Sequence, residues 1–113
     1  MRVLFVYPEP DVAPFYLQSP LGCLYLGAAL EGQHEVRIYD QNVDDERLGS
    51  VVANFDPHVI GVSFTTGCRI TSFDIARTYG GAGRILFAGG IHPTYCAEEC
   101  IDAGYDFVAR GEV

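Results

Sequence analysis

The stretch "HVIGVSF", residues 58–64, decides the fold of this chain. Apart from His58 at its start and Ser63 near its end, it is apolar along its whole length. Strands that are apolar on both faces are typical of the middle of a parallel sheet, where helices cover both sides. A helical pattern precedes the stretch and another follows it, so it predicts a central strand of an α/β domain.

Apolar runs alternate with helical patterns along the rest of the chain, which indicates stacked βαβ units. The five predicted strands are "VLFVY" (3–7), "EVRIYD" (35–40), "HVIGVSF" (58–64), "RILFAGG" (84–90) and "DFVAR" (106–110). The four predicted helices are "PLGCLYLGAAL" (20–30), "DDERLGSVVANF" (44–55), "TSFDIARTY" (71–79) and "PTYCAEECIDAG" (93–104). A capping-box spacing of Thr71 and Asp74 opens the third helix, and the fourth has Pro93 near its first helical position and Gly104 at its end.

The polarity of the strands predicts their order. Arg37 interrupts the second strand, and Asp106 and Arg110 flank the short fifth strand, so these two belong at the edges. The prediction is a three-layer flavodoxin-like (Rossmann-like) α/β domain with a five-stranded parallel sheet of order 2-1-3-4-5. A ligand would then lie over the carboxyl ends of the central strands, on the loops at residues 7–20, 63–71 and 89–94.

Composition bounds the function. At 113 residues the chain is one domain, and its 15 acidic and 7 basic residues give a net charge of −8. Such a surface repels phosphate backbones, so we expect no direct nucleic-acid partner. No apolar run approaches the ~20 residues of a membrane helix. The four cysteines show no compact disulfide framework, which favours a reduced, cytoplasmic setting.

Several ligands are disfavoured by the loops. The segment "YPEPD" (7–11) offers prolines and carboxylates where a flavin phosphate needs free N–H groups. A phospho-acceptor domain needs a lysine, and the chain has none. The glycines of "GGAGRI" (80–85) precede a strand, whereas a dinucleotide fingerprint follows one. A hydrolase built on Ser63 and His92 lacks the G-x-S-x-G elbow.

Hydroxyls and glycines remain at the carboxyl ends of the strands. Ser63, Thr65 and Thr66 follow the third strand, "AGGIHPT" (88–94) follows the fourth, and "RGE" (110–112) follows the fifth. Paired glycines at a strand end let a flat group approach the backbone, because no Cβ intervenes. Two other interpretations stay open: the glycines form only a tight strand-to-helix turn, and His92 is an N-cap-like residue before Pro93.

The chain resembles the N-terminal cobalamin-binding domain of B12-dependent radical SAM enzymes. The segments that carry the resemblance are "RVLFVYP", "SPLGCLYLGAALEGQHEVRIYD", "FDPHVIGVSFTT", "RILFAGGIHPT" and "CIDAGYDFVARGE". They occur in the family's order and cover nearly all of residues 2–112. The resemblance implies a flavodoxin-like domain that grips cobalamin on the carboxyl face of its sheet.

The resemblance also implies a set of cofactor-binding residues. Ser63 and Thr65 would hydrogen-bond the nucleotide tail of cobalamin, and the aromatic base of the tail would lie between neighbouring loops. The residues that would flank or line the slot for this base are Gly89, Gly90, His92, Thr94, Gly111 and Glu112. The residues that would shape the helix start beneath the corrin are Pro20, Leu21 and Gly22.

Asp56, His58 and Gly61 stand in the spacing D-x-H-x-x-G, by which one class of B12 proteins ligates cobalt through histidine. In those proteins the motif follows the first strand, whereas here it enters the third strand at the amino side of the sheet. A five-residue strand separates the two ends by ~17 Å. We therefore expect base-off cobalamin without a histidine ligand, its lower face left to water, Tyr16, Gln18 or apolar contacts.

Cys96 and Cys100 share the first spacing of the radical SAM motif C-x-x-x-C-x-x-C, but its third position is Ala103. Cysteines at i and i+4 of a helix favour packing against a sheet, so we expect no metal ligand in this chain. No side chain is a strong candidate for an acid, base or nucleophile, so we assign no catalytic residue.

The resemblance therefore suggests a cobalamin-binding module of a radical SAM methyltransferase or related enzyme. The partner would be a radical SAM domain in cis. S-adenosylmethionine and a [4Fe–4S] cluster would be bound only by that C-terminal domain, which this chain lacks, since the sequence stops at "RGEV" where the family continues. One alternative is a degenerate flavodoxin-like domain that serves as a scaffold or docking module without cofactor. Another is a free-standing corrinoid carrier with a partner methyltransferase, which the missing lower-face histidine disfavours.

Overall fold

A five-stranded parallel sheet forms the centre of the chain in a computed structural model, which describes residues 1–11 and 21–111. The strands are β1 (Arg2–Tyr7), β2 (Glu35–Asp40), β3 (Val59–Ser63), β4 (Ile85–Gly89) and β5 (Phe107–Val108). The helices are α1 (Leu21–Leu30), α2 (Leu48–Phe55), α3 (Arg69–Tyr79), α4 (Ile91–Tyr95) and α5 (Ala97–Ala103), with a 3-10 turn at Thr66–Cys68. Within the described ranges, none of these helices is both long and apolar enough to cross a membrane.

The strand order is β2-β1-β3-β4-β5, which confirms the flavodoxin-like prediction. All four pairings are parallel, and β1 pairs with β2 on one side and β3 on the other. The chain leaves β1 toward one side of the sheet and leaves β3 toward the other, so their carboxyl ends border a crevice. This crevice is the position at which ligands bind in open α/β sheets.

One face of the sheet carries the larger core. The fully buried side chains of β1, β3 and β4 pack there against α2, α3 and α5. β1 and β3 are also covered on their other side, where Cys23 of α1 packs with Val3 and Phe5 and the Phe87 ring lies over Gly61. The main members of this core are Leu4, Val6, Val51, Ile60, Val62, Phe64, Ile75, Leu86, Ala88 and Cys100.

The other face is covered only in part by the described residues. There, Val3, Phe5 and Cys23 form a smaller core with half-buried side chains of α1 and β2. On the same face toward the β5 edge, Ile85 and Phe107 remain exposed. The described part of the chain therefore has one complete layer of helices and one that is limited to the β1–β2 side.

The boundaries of α2, α3 and β5 differ from the sequence prediction by two residues or more. Helix α2 begins at Leu48 and not at residue 44, because Glu46 is held to β2. Its carboxylate lies 3.0 Å from Arg37 and its carbonyl accepts a 2.6 Å hydrogen bond from the Tyr39 hydroxyl. Helix α3 begins at Arg69, and β5 is two residues long where five were predicted.

The predicted helix over residues 93–104 is two helices. Cys96 has φ −129° and ψ 46°, which ends α4 and begins α5. The first of them starts at Ile91, so Pro93 lies in its first turn and does not mark its start. The predicted end is confirmed, because Gly104 terminates α5 with φ 121°, a conformation that favours glycine.

Candidate functional site

The loops after β3 and β4 are joined at the carboxyl edge of the sheet. The amide of Phe64 donates to the carbonyl of Gly89 at 3.0 Å, and the amide of His92 donates to the carbonyl of Phe64 at 3.3 Å. These bonds extend the pairing of two neighbouring strands beyond their ends. Side chains at the end of β3 therefore share one rim with the glycine pair at the end of β4.

Gly89 leaves space at this rim. A Cβ built on it would meet one described atom within 4 Å, the Cβ of Ala109 at 3.8 Å, which is an ordinary contact. Gly89 thus leaves a gap between the end of β4 and the described segment that follows β5, and a larger side chain at position 89 would fill this gap. This open strand end fits the prediction of a slot for a flat group, and its contact with a cofactor stays a prediction.

Gly90 has a structural role of its own. Its φ is 104°, and a Cβ there would lie 2.8 Å from the carbonyl oxygen of Phe64. Only glycine therefore allows the chain to turn from β4 into α4 while passing this close to the neighbouring loop. The interpretation of a tight strand-to-helix turn is confirmed for Gly90, whether or not it also flanks a cofactor.

Two hydroxyls stand at the end of β3. Ser63 is half-buried, and within the described ranges its Oγ makes no hydrogen bond, although a Cβ at Gly90 would come within 3.3 Å of it. Thr65 is exposed, and its Oγ1 makes one weak contact, with Sγ of Cys68 at 3.9 Å. Both hydroxyls are therefore available to a polar ligand at the rim.

Thr94 connects the loop after β4 with the segment after β5. Its hydroxyl donates to the carbonyl of Gly90 at 2.7 Å and accepts from the amide of Gly111 at 3.0 Å. Arg110 adds a 3.1 Å bond from Nε to the carbonyl of Thr94. The structure thus joins three predicted site residues, Gly90, Thr94 and Gly111, in one hydrogen-bond network. The Thr94 hydroxyl holds the two loops together because it acts as a donor to one and as an acceptor from the other.

His92 belongs to the same loop, but its side chain is buried. The ring is 4% exposed, stacks on Phe64 at 5.6 Å between centroids, and has Nδ1 3.0 Å from Oγ1 of Thr66. It lies within the first turn of α4, where Gly90 is the N-cap residue, so the N-cap-like interpretation of His92 is wrong. The imidazole supports the rim from below, and lining of the cofactor slot by His92 stays a prediction.

The remaining predicted site residues lie at or beyond the described ranges. Pro20 and Glu112 fall outside them, as do Tyr16 and Gln18. Leu21 begins α1, and Gly22 is exposed in its first turn with no described atom within 4 Å of a built Cβ.

The crevice between β1 and β3 is bridged by Asp11, which the sequence analysis missed. Its carboxylate accepts hydrogen bonds from the amides of Ile70 and Thr71, at 3.1 and 2.9 Å, and from the Thr71 hydroxyl at 3.0 Å. The amide of Asp11 also donates to the carbonyl of Gly67 at 2.8 Å. The predicted capping box of Thr71 and Asp74 is therefore replaced by a cap supplied from the loop after β1, a long-range contact that no local spacing could indicate.

His58 lies at the opposite edge of the sheet. Its Nδ1 accepts a 2.9 Å hydrogen bond from the amide of Arg2, and its own amide donates to the carbonyl of Arg2 at 2.9 Å. These contacts place it at the amino ends of β1 and β3, as the sequence analysis expected. A side chain there is separated from the carboxyl-edge loops by the full length of the strands.

Two buried thiols are poor nucleophiles. Burial raises the pKa of Cys100 to about 11, with the nearby Glu99 and Cys96 adding to the rise. Burial likewise raises the pKa of Cys23 to about 11, with a further contribution from Asp40. Cys100 packs in the larger core, as predicted for a cysteine on a helix face against a sheet. These thiols are protonated at neutral pH, so their role is packing.

The rim residues fit a planar, polar-edged group such as the tail of cobalamin. The hydroxyls of Ser63 and Thr65 could hydrogen-bond such a group, and the gap at Gly89 could accommodate its face. The surrounding loops are fixed by backbone and Thr94 hydrogen bonds, so the rim is largely preformed.

Comparison with known proteins agrees with this geometry. The family described as the B12 binding domain matches residues 13–113. An uncharacterized methyltransferase of Pyrococcus horikoshii is 28% identical in an alignment 127 residues long. The alignment covers 99% of this chain and 27% of the relative. The chain thus spans about a quarter of the length of that relative. With the family match extending over most of its length and the sheet in the expected order, the chain belongs to the B12-binding domain family.

Proposed function

We propose that this chain is the cobalamin-binding module of a B12-dependent radical SAM enzyme of the methyltransferase type. The observation that carries the proposal is the half-buried hydroxyl of Ser63, which makes no hydrogen bond to the described residues, beside the open strand end at Gly89. A polar atom without a protein partner, next to space that a Cβ would fill, is suited to a ligand that has both a flat face and polar edges.

In this proposal the residues of the chain bind and orient the cofactor. Ser63 and Thr65 hydrogen-bond the nucleotide tail, Gly89 and Gly90 admit its base, and Thr94 holds the surrounding loops in place. The bound cobalamin would supply a transferable methyl group, and the protein's part is position and environment.

The whole protein, in the same proposal, is a cytoplasmic enzyme with a radical SAM domain in cis. The relative that shares this domain is named a methyltransferase and is almost four times as long as the matched region, which leaves room for a further domain. S-adenosylmethionine and a [4Fe–4S] cluster would belong to that domain. The presence of C-x-x-x-C-x-x-C in the gene beyond codon 113 is the test of this arrangement.

Titration of the chain with hydroxocobalamin tests the binding proposal. We expect a shifted absorption spectrum of the bound cofactor, and an affinity that falls about threefold to tenfold in Ser63→Ala and in Thr65→Val, because each variant loses one hydrogen bond. Gly89→Leu should weaken binding further, since its side chain would occupy the gap at the strand end.

Matched controls carry the same chemical changes away from the rim. Ser50→Ala on α2 and Thr78→Val on α3 should bind as the wild type does, because Ser50 is exposed and the Thr78 hydroxyl donates to the carbonyl of Asp74 within its own helix. Circular dichroism verifies folding. A folded wild-type chain that leaves hydroxocobalamin unbound would contradict the proposal and support the alternative, a scaffold or docking module without cofactor.

A further inference from the structure

Three side chains with metal-ligand atoms meet beneath the rim. They are His92 in α4, Cys96 at the break between the helices, and Glu99 in α5. Their ligand atoms, one from each residue, all lie within 4.8 Å of one another. We refer to them as the His92–Cys96–Glu99 cluster.

The imidazole of His92 is only half satisfied. Nδ1 lies 3.0 Å from Oγ1 of Thr66, while Nε2 is buried and makes no hydrogen bond in the described part of the chain. Oε1 of Glu99 is 3.4 Å from Nε2, close enough for an ion pair but without hydrogen-bond geometry. A buried ring nitrogen without a partner is unfavourable. Here a carboxylate oxygen lies 3.4 Å from it, and the thiol sulfur of Cys96 lies within 4.8 Å of a nitrogen of the same ring.

The three residues stay together across the break between α4 and α5. The amide of Cys96 donates to the carbonyl of His92 at 2.8 Å, and the extended φ of Cys96 then starts α5. Positions i, i+4 and i+7 lie on one face of a helix, and the break leaves their ligand atoms within 4.8 Å of one another. A straight helix over residues 93–104, as the sequence predicts, would have begun after His92 and left it outside the periodic pattern.

We propose that the His92–Cys96–Glu99 cluster binds a divalent transition-metal ion, with Zn²⁺ as the best match. Imidazole nitrogen, thiolate sulfur and carboxylate oxygen are the three donor types that Zn²⁺ accepts, and three protein ligands leave a fourth position open. The protonated Nδ1 of His92 donates to Oγ1 of Thr66, which fixes the tautomer and leaves the lone pair of Nε2 for the metal. On binding, the thiol of Cys96 releases one proton to solvent, and the ion undergoes no redox change.

Arg69 is the competing partner in the metal-free chain. Its guanidinium lies 3.4 Å from Oε1 of Glu99 on the half-exposed side of the cluster. An ion pair at that exposure contributes little, so exchange of the guanidinium for a metal ion carries a small penalty. The sequence pattern of Cys96 and Cys100 favours no metal ligand. The structure adds His92 and Glu99 to Cys96, and these two residues are the basis for proposing a site.

Zn²⁺ titration of the metal-free, reduced 113-residue chain by calorimetry tests the proposal. We expect one ion per chain, with affinity lowered at least about tenfold in Cys96→Ser and in Glu99→Gln, since loss of even an outer-shell partner has an effect of this size. Cys68→Ser and Glu98→Gln are the matched controls and should bind as the wild type does, because Cys68 lies outside the cluster and Glu98 is exposed.

Co²⁺ added without any corrinoid serves as the spectroscopic probe. A thiolate-to-cobalt charge-transfer band should form in the wild type and in Cys68→Ser, and should be missing in Cys96→Ser. A band that persists in Cys96→Ser, unchanged Zn²⁺ affinity in both cluster variants, or a folded wild type that binds neither ion would overturn the proposal. Hydroxocobalamin uptake by Cys96→Ser is measured in parallel, so that failure of the metal site and failure of the cofactor proposal are distinguishable.

Discussion

Gly61 lies in the central strand of the sheet. A glycine in a strand interior normally lowers stability, because it has no side chain to pack. The structure gives the reason for it. A Cβ built at this position would lie 2.4 Å from Cζ of Phe87 on the neighbouring strand. The Phe87 ring covers Gly61 and packs edge-on against Phe5, with 6.1 Å between centroids. The glycine therefore makes room for an aromatic pair that closes the smaller core.

Gly61→Ala should lower the free energy of unfolding by about 1–3 kcal/mol, because the new methyl group forces the Phe87 ring off Phe5. Urea denaturation measures the effect. In the double variant Gly61→Ala, Phe87→Leu the two losses should be less than additive, since the clash is already relieved. Gly49→Ala in α2 is the control and should stabilise by about 0.5–1 kcal/mol, because its Cβ would meet the Tyr79 hydroxyl at a comfortable 3.5 Å.

At this scale the sequence predicts residue types better than residue environments. The hydroxyl of Ser63 and the glycine pair are recognisable from the chain because they follow apolar strands. The burial of His92 cannot be recognised in this way, since it depends on Phe64 and Thr66 from a loop more than twenty residues away.

For the Gly61→Ala test described above, full additivity of the Gly61 and Phe87 variants would show that the aromatic pair is not what requires the glycine.

Helix α3 owes its start to a residue outside it. Its own N-cap residue, Cys68, makes no side-chain capping bond, and Asp11 instead binds the amides of the first turn from the loop after β1. Partial burial of the carboxylate acts to raise the pKa of Asp11, but hydrogen bonds from Thr71 and Ile70 and the charge of Arg69 outweigh it and hold the pKa below its usual value. The ionised carboxylate is thus the stabilising form.

Asp11→Ala should lower the free energy of unfolding at pH 7 by about 1 kcal/mol, the usual contribution of a helix cap. Because the folded pKa is depressed, this stabilisation is complete above the unfolded value of about 3.9 and is lost as the pH falls through the folded pKa. The wild type and the variant should therefore converge in stability on acidification, measured by urea denaturation at stepped pH.

Asp74→Ala is the control for Asp11→Ala. Asp74 is exposed in the same helix and forms a surface ion pair with Arg77 at 3.0 Å, so its removal should change stability by less than about 0.5 kcal/mol at any pH. A difference between wild type and Asp11→Ala that stays constant down to strongly acidic pH would contradict the role of the ionised cap.

The types and order of the elements follow from the sequence, whereas several of their ends do not. Continuous apolar runs identify β1, β3 and β4, and interrupting charges identify the edge strands. The break at Cys96 escapes the same reasoning because residues 93–104 are compatible with one helix by local pattern. The break lies between the turn at Gly90 and Cys100, which is buried in the core. The apolar pattern of the sequence predicts the burial of Cys100, but it does not predict the turn that comes before it.

The two edges of the sheet carry different groups of the predicted residues. Ser63, Gly89 and Thr94 lie at the carboxyl edge, while His58 and the chain start lie at the amino edge, ~17 Å away across a five-residue strand. The sequence contains three histidines. His34 contacts the N-terminal amine at 3.3 Å, His58 contacts Arg2, and the His92 ring is buried between aromatic rings. None of the three is presented to the open side of the rim.

Electron paramagnetic resonance of the Co(II) form of bound cobalamin should show no nitrogen superhyperfine splitting, because neither a histidine nor the cofactor's own base would ligate the cobalt in the proposed base-off mode. His58→Ala should give the same spectrum as the wild type. Splitting in the wild type that disappears in His58→Ala would contradict the assignment of the two edges, and splitting that persists in the variant would indicate a base-on cofactor.

The first residue has a practical consequence for any binding study. Its carbonyl accepts a hydrogen bond from Glu35 at 3.0 Å, which fixes Met1 beside the start of β2 on the side remote from Ser63 and Gly89. A short affinity tag fused ahead of Met1 could therefore anchor the chain to a sensor surface with the rim facing the flowing solution.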